Sequence, residues 1–285
     1  MELSDLNYFL AVAAVENMNQ AAKNAGVSPG ALSKAVARLE SDLDVALFNR
    51  VKQRIVLTPE GLEFALKARR IMELVDESRV AVGSKKGLAR IVIGGDEALA
   101  GRFCKPLVDR LPAWLQQFEI SVKSNFAGSP WEALKQGAIH LLISTEPREG
   151  FPAIKIGQTA HRVMAHREHP LATDLRQIVP IDELLCYDFA VPHAQVFGLG
   201  SSTVSTDGWR DDQFPRLVKY RLDSLHSLLQ LVLTGEVLAY LPDYLEDTMG
   251  LKTISVSGCP YVCERDIYIN SYQPDRLGWL HHIFS

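Results

Sequence analysis

Residues Met18 to Ala37 read MNQAAKNAGVSPGALSKAVA. By residue type this stretch is two short helices around a tight turn. Ala21, Ala22 and Ala25 are small enough for close helix packing, and Gly26 suits the left-handed residue that ends a helix. Ser28 is a good N-cap, and Pro29 stands where a helix best tolerates proline. Leu32, Val36 and Leu39 recur at i, i+4 and i+7, which makes one buried stripe. The opposite face carries Gly30, Ser33, Lys34, Ala37 and Ser41 and is slim, hydroxylated and cationic at one point. Such a face can enter a DNA major groove, where hydroxyls meet phosphates or base edges and a helix start favours anions. The unit is a helix-turn-helix candidate. Taken alone, an ordinary helical hairpin fits the same residues, because the motif has no sharp sequence code.

Upstream, Ser4 can cap a first helix whose inner face is Leu3, Leu6, Leu10 and Ala13. Downstream, the third helix runs to about Leu43, and Val45, Leu47 and Phe48 form an apolar anchor. Asn49 to Thr58, NRVKQRIVLT, predicts a short hairpin, the wing that follows a recognition helix. Its cations Arg50, Lys52 and Arg54 alternate, so on one regular strand they would share a face toward phosphates. A solvated basic turn is the alternative. Thr58-Pro59 opens a helix to about Val82 in which Phe64, Ala68, Ile71, Val75, Ser78 and Val82 form a heptad seam fit for a partner helix. A core helix is the alternative, but the remaining faces are crowded with charge. Gly83-Ser84-Lys85-Lys86-Gly87 reads as a hinge.

Beyond it, short apolar strands alternate with helices. Ile91–Ile93, a helix near Leu99–Leu111, Ile120–Lys123, a helix around Trp131–Gln136 and Ile139–Ile143 make a βαβαβ run and predict a mainly parallel sheet. A second run has strands at Arg162–Ala165, Phe189–Val191, Leu217–Leu222 and Val237–Leu241, with Ser224 capping a helix from Leu225 to Leu233. Arg265–Asn270 is a late strand, and a final helix lies near Gly278–Phe284. Two α/β units with the chain crossing between them place a ligand cleft at the strand C-termini.

The 285 residues are 47% hydrophobic and 22% charged, the profile of a protein with a sizeable core. A formal net charge of −4 excludes a strongly basic nucleic-acid binder but not a sequence reader with local cations. The 4 cysteines are too scattered for a disulfide framework. No apolar run approaches a membrane span, and the first residues lack the pattern of a secretory signal, so a cytoplasmic location is expected.

At this point the order of parts resembles the LysR-type transcriptional regulators of bacteria. The resemblance starts at Leu6-Asn7-Tyr8-Phe9 and runs through Gln20-Ala21-Ala22 and Val27-Ser28. It is strongest over Ala31-Leu32-Ser33-Lys34, Leu39-Glu40, Leu47-Phe48-Asn49-Arg50 and Leu57-Thr58-Pro59-Glu60-Gly61. His169-Pro170-Leu171 and LVLTGEVLAYLPDYL, Leu231 to Leu245, are also similar. The resemblance implies an N-terminal winged helix-turn-helix plus linker helix, then a two-subdomain periplasmic-binding-protein-like α/β effector domain. The expected boundaries are 1–58 for the DNA-binding domain, 59–87 for the linker and dimerisation helix with its hinge, and 88–285 for the effector domain. Within the last, one subdomain is expected at about 88–160 and 266–285, the other at about 161–265. The implied function is sequence-specific transcriptional regulation, modulated by a small effector between the subdomains. The implied partners are a pseudo-palindromic DNA duplex and a second or further copies of the chain, as homodimer or homotetramer. Departures are visible: Pro29-Gly30 replaces the usual Gln-Pro and removes an amide that could read adenine, and His140 stands where an aspartate often begins the strand.

Candidate DNA contacts are Ser28, Ser33 and Lys34 in the groove, Gly30 for close approach, and Asn19, Arg38, Arg50, Lys52 and Arg54 on the backbone. For the effector, the family analogy points to Asp96, Glu97 and Ala98 after the first strand and Ala127, Gly128 and Ser129 after the second. Ser144 and Thr145 follow the third, and Phe197, Gly198, Ser201, Ser202 and Thr203 lie in the second half. Hydroxyls and helix-start amides favour a carboxylate-bearing metabolite, while Asp96 and Glu97 add a preference for an amine or hydroxyl. Plain loop capping is the alternative for each. Cys259 and Cys263 read as incidental thiols, His161, His166 and His169 fit no zinc pattern, and no metal or cofactor is expected. With no nucleophile elbow or phosphate loop, an enzyme is not expected. The competing reading is a ligand-binding or enzymatic α/β protein whose N-terminal helices only dimerise.

Overall fold

The computed structural model describes residues 1–51, 54–84, 87–126, 128–173, 178–194, 205–246, 250–259 and 263–285. Helices α1 (Leu3–Val15), α2 (Met18–Ala25) and α3 (Pro29–Leu43) are packed by their apolar stripes. Leu6, Phe9 and Val12 of α1 meet Ala21 and Ala22 of α2 and Leu32, Val36 and Leu39 of α3 in one buried cluster. Strands β1 (Phe48–Val51) and β2 (Arg54–Leu57) then pair antiparallel, with Phe48 opposite Leu57 and Arg50 opposite Ile55. Arg50 and Arg54 therefore stand on neighbouring strands and not on one, because the chain reverses between them.

Helix α4 (Pro59–Ala81) starts as its sequence requires, with the Thr58 hydroxyl accepting from Gly61 N at 2.8 Å. At 1.5 Å per residue it is about 35 Å long. The expected seam is divided. Ala68 is buried, and Phe64 and Ile71 pack on the helix-turn-helix core of the same chain, while Val82 is 81% exposed. Gly61 has no freedom here, since a β-carbon on it would lie 1.9 Å from the Leu47 carbonyl oxygen. In the expected hinge, Gly83 adopts φ +68°, Ser84 N bonds Arg79 O at 2.9 Å and Gly87 N bonds Ser84 O at 2.9 Å, while Lys85 and Lys86 lie outside the described residues.

Elements β3 (Ala89–Gly95), α5 (Glu97–Val108), β4 (Phe118–Lys123), α6 (Pro130–Lys135) and β5 (Leu141–Ser144) form the expected βαβαβ unit, with β4, β3 and β5 parallel. Helix α5 starts at Glu97 and not Leu99, because Asp96 Oδ1 accepts from Ala98 N at 3.0 Å and caps it there. Strand β6 (Ala153–His166) is far longer than the expected Arg162–Ala165. After it come α7 (Pro170–Thr173), β7 (Val179–Pro180), α8 (Ile181–Leu184), β8 (Asp188–Pro192), β9 (Leu217–Leu222), α9 (Leu225–Val232) and β10 (Ala239–Pro242). A 3-10 turn at Asp243–Leu245, β11 (Leu251–Thr253), β12 (Val256–Ser257), β13 (Glu264–Asn270), a second 3-10 turn at Pro274–Arg276 and α10 (Gly278–Phe284) complete the order.

The main sheet runs β10-β6-β13-β5-β3-β4, with β11 also on β6. Its length lets β6 serve both lobes: Ala153–Ala160 pairs with β13, and His161–His166 pairs with β10 and β11. One lobe packs Ile91, Ile93, Leu99, Phe103, Leu141 and Ile267. The other is filled on both sheet faces, by Val163, Phe189 and Trp209 on one and Met164, Ala190 and Leu228 on the other, as strand alternation dictates.

Candidate nucleic-acid interface and effector cleft

The recognition helix is set by local chemistry. Asn17 Oδ1 caps α2 by accepting from Gln20 N at 3.0 Å. Gly26 ends α2 at φ +67°, and Val27 N reaches back to Ala22 O at 3.1 Å, the closing bond of a Schellman turn. Ser28 Oγ accepts from Ala31 N at 3.2 Å and starts α3. Leu32, Ala35, Val36 and Leu39 are buried, which aims Gly30, Lys34, Ala37 and Ser41 outward and leaves Ser33 half-buried. Lys34 has no hydrogen-bond or ion-pair partner among the described residues. Asn19 is also exposed, on α2. Lys52 lies outside the described residues.

Arg38, expected on the DNA backbone, also has a partner inside the protein. Its guanidinium bonds the carboxylate of Asp5, a residue on α1 that is 1% exposed. Arg38 holds the Asp5 carboxyl below the usual carboxylate range, against the opposing effect of burial. Arg38 thus ties α3 to α1. Another lock is Glu40, whose Oε1 accepts from Leu47 N at 2.8 Å and Phe48 N at 3.1 Å and fixes the start of the wing. Neither acid has an assigned role from sequence, although Leu39-Glu40 is part of the family resemblance. The available signal was the position of Asp5 beside Leu6 and Phe9 on the inner face of α1.

On the cleft side, much of the polarity of the strand ends and helix starts is used locally. Asp96 caps α5, and Ser129 Oγ accepts from Trp131 N at 3.3 Å to cap α6. Ser144 Oγ donates to Glu146 O at 2.7 Å and accepts from Asn270 Nδ2 at 2.9 Å. Thr145 is buried, and Glu97 and Gly128 are exposed. Ala98 packs into the cluster of the other lobe with Met164 and Leu228. Phe103 and Tyr244 stack edge-on across the lobes at 6.1 Å. Ala127, Phe197, Gly198, Ser201, Ser202 and Thr203 lie outside the described residues. In the second lobe, Arg216 is buried between Phe189 and Trp209 and bonds Asp207 at 2.8 and 2.9 Å. That arrangement fixes the segment just after those positions.

The two halves are clamped along one face of α4. Arg69 Nη1 donates to Gln136 O at 3.3 Å, His140 Nε2 lies 3.0 Å from Glu73 Oε1, and Trp279 N donates to Glu77 Oε1 at 2.9 Å. Val92 N donates to His140 Nδ1 at 2.9 Å. That bond fixes the neutral tautomer, so Nε2 carries the proton and donates to Glu73. This is the role of the histidine that departs from the family pattern.

Fold and exposed face together define a winged helix-turn-helix joined by a long helix to a two-lobed α/β ligand domain. The family profile described as bacterial regulatory helix-turn-helix protein, lysR family, matches residues 3–62, and that of the LysR substrate binding domain matches residues 85–276. The chain belongs to the LysR family. It is 27% identical over 188 residues to the uncharacterized HTH-type transcriptional regulator YybE of Bacillus subtilis, a match covering 65% of this chain and 64% of that protein. It is 33% identical over 180 residues to the HTH-type transcriptional regulator TcbR of Pseudomonas sp. strain P51, covering 59% of this chain and 58% of that one. The chain thus spans under two thirds of the length of these curated relatives. In fold it is similar to the crystal structure of CbnR, a LysR family transcriptional regulator, with a TM-score of 0.61 at 21% identity over 99% of this chain and 96% of that one. Full-length CbnR complexed with its target DNA is similar to the same degree, with a TM-score of 0.61 at 21% identity over 100% of this chain and 99% of that one.

Proposed function

We propose that this chain is a sequence-specific DNA-binding transcriptional regulator whose activity responds to a small effector held between the two lobes. The observation that carries the reading is the outer face of α3. It offers a capped helix start, a glycine, hydroxyls and a lysine with no partner among the described residues. A merely dimerising hairpin has no reason to gather a helix start, a glycine, hydroxyls and a lysine on one outer face. In this reading Ser28, Gly30, Ser33 and Lys34 meet the groove, and Asn19, Arg50, Lys52 and Arg54 meet phosphates. Arg38 acts through α1 and so moves from the contact set to a positioning role. The effector is a small carboxylate, and its contacts are Asp96, Glu97, Ala98, Ala127, Gly128, Ser129, Ser144, Thr145, Phe197, Gly198, Ser201, Ser202 and Thr203. The DNA-binding part is 1–58, the linker 59–87 and the effector part 88–285. The chain works as a homodimer or homotetramer on a pseudo-palindromic duplex, in the cytoplasm. No helix among the described residues is long and apolar enough to cross a membrane.

The test is an anisotropy titration of the full-length protein with the duplex upstream of its own gene. Lys34→Ala should weaken binding and reduce the salt slope by about 0.9 per lost phosphate contact. An unchanged affinity and slope would defeat the assignment of α3 as the reading helix.

A further inference from the structure

A separate cavity of about 280 Å³ lies between α4 and the first lobe, away from the cleft between the lobes. It is lined by the cations Lys67, Arg69, Arg70, Lys135 and Arg276. Three carboxylates face it as well, Glu63, Glu73 and Glu132. Two of these already accept hydrogen bonds: Glu73 Oε1 from His140 Nε2 at 3.0 Å, and Glu132 Oε1 from Gln136 Nε2 at 3.0 Å. Arg69 is partly used by the Gln136 carbonyl. Lys67, Arg70, Lys135 and Arg276 have no hydrogen-bonded or ion-paired acceptor among the described residues.

Arg276 is the decisive group. It sits on the 3-10 turn before α10 and is 9% exposed. Its Nε and Nη2 are covered and have no hydrogen-bond partner. Its Nη1 lies by Gly137, a cavity-lining residue, 3.2 Å from where a β-carbon on that glycine would stand. Burial works against its charge, the nearby Glu73 carboxylate supports it without a hydrogen bond, and Arg70 adds repulsion. A guanidinium does not release its proton at ordinary pH, so a covered one requires an anion to offset its lost hydration. An exposed lysine or arginine would find that offset in water. Arg276 does not.

We infer that this junction is a second ligand site, which takes a small oxyanion bearing carboxylate or phosphate groups in a charge-assisted pair with Arg276. Lys67 and Arg70 come from α4, whereas Lys135 and Arg276 come from the first lobe. An anion among them therefore bridges the helix that carries the DNA-reading half and the lobe that carries the effector cleft. It offsets the positive excess that five cations against three carboxylates leave at the junction. The cavity size admits a metabolite and not a macromolecule.

The test is isothermal calorimetry on the full-length protein, with citrate and pyrophosphate as probes at ionic strength held constant with sodium chloride. One or both should bind at one site per chain. Arg276→Gln should weaken that binding at least about tenfold, the loss expected for a charge-assisted pair in a covered setting. Arg70→Gln, an exposed change, should weaken it severalfold and serves where Arg276→Gln fails to fold. A preference for citrate assigns a carboxylate ligand, and a preference for pyrophosphate a phosphate. Binding of either probe that survives both substitutions would overturn the proposal and place the anion in the cleft between the lobes. Absence of binding by both probes would overturn it too. If Arg276→Gln then also lowered the oligomer mass in sedimentation, a carboxylate of a second copy would be the occupant instead.

Discussion

Replacing Arg38 by alanine separates two roles that the sequence assigns to one residue. Arg38 faces solvent over 55% of its side chain, whereas its partner Asp5 is only 2% exposed there. Once Arg38 is removed, the Asp5 carboxylate keeps only a long bond from Glu2 N at 3.4 Å. A buried carboxylate left without its cation costs about 3–5 kcal/mol when both partners are covered. The open arginine side brings the expected loss down to about 2 kcal/mol. Asp5→Asn/Arg38→Ala removes the orphaned charge and should cost about 1 kcal/mol, less than Arg38→Ala alone. The assay is urea unfolding of the full-length variants near neutral pH, followed in the transition that reports the N-terminal helices. The sign of the pH effect is fixed by the lowered Asp5 carboxyl. The unfolded chain binds the proton more readily, so the stabilisation is present above the ordinary carboxylate range and is lost as pH falls through the folded value. Operator titrations complete the experiment, because a positioning arginine leaves the salt slope of the double variant unchanged. A slope reduced by about 0.9, with no stability difference between the single and double variants, would refute this reasoning and return Arg38 to the phosphate contacts.

Other consequences are equally direct. Gly61→Ala forces a β-carbon to 1.9 Å from the Leu47 carbonyl oxygen and should cost more than about 2 kcal/mol in thermal unfolding; a loss below half of that would show that α4 can move away freely. Glu73→Gln keeps an acceptor for the His140 Nε2 proton and should change stability by less than about 1 kcal/mol, whereas Glu73→Leu leaves it unpaired and should cost about 1–3 kcal/mol; equal effects from the two would contradict the assigned tautomer. His161, buried beside Tyr240, has its pKa pushed down to about 4, mainly by burial, with Asp207 and Asp243 pulling it up and Arg265 down. Its folded state refuses a proton that the unfolded chain accepts below about pH 6.5, so stability should fall by about 3 kcal/mol between pH 6.5 and 4 and stay flat above. His161→Phe should flatten that part of the profile, and a variant that keeps the full acid dependence would rule this histidine out.

The helix-turn-helix and the element order were legible in the sequence because their signals are local. Ser28, Pro29 and Gly26 act within a few residues of themselves, and Leu32, Val36 and Leu39 declare a face by spacing alone. The same is true of the Thr58 cap and of the βαβαβ rhythm from Ile91 to Ile143. At the strand ends, Asp96 and Ser129 cap α5 and α6, the alternative that their residue types also allowed. Contacts between distant segments were not. Nothing near Arg38 announces Asp5, and nothing near His140 announces Glu73, since each pair exists only once distant elements pack together. The heptad pattern of α4 stated that one stripe was apolar, but only packing decided that Phe64, Ala68 and Ile71 serve the chain's own core. Likewise β6 read as a short strand because Lys155 and Gly157 interrupt its apolar run, and only its pairing with β13 on one half and β10 on the other makes it the rail between lobes. Sequence by itself determined which residues could cap, turn or face inward. Tertiary structure decided which charges meet, and so left Arg276 covered with no acceptor among the described residues, a fact of spatial arrangement that no local pattern encodes.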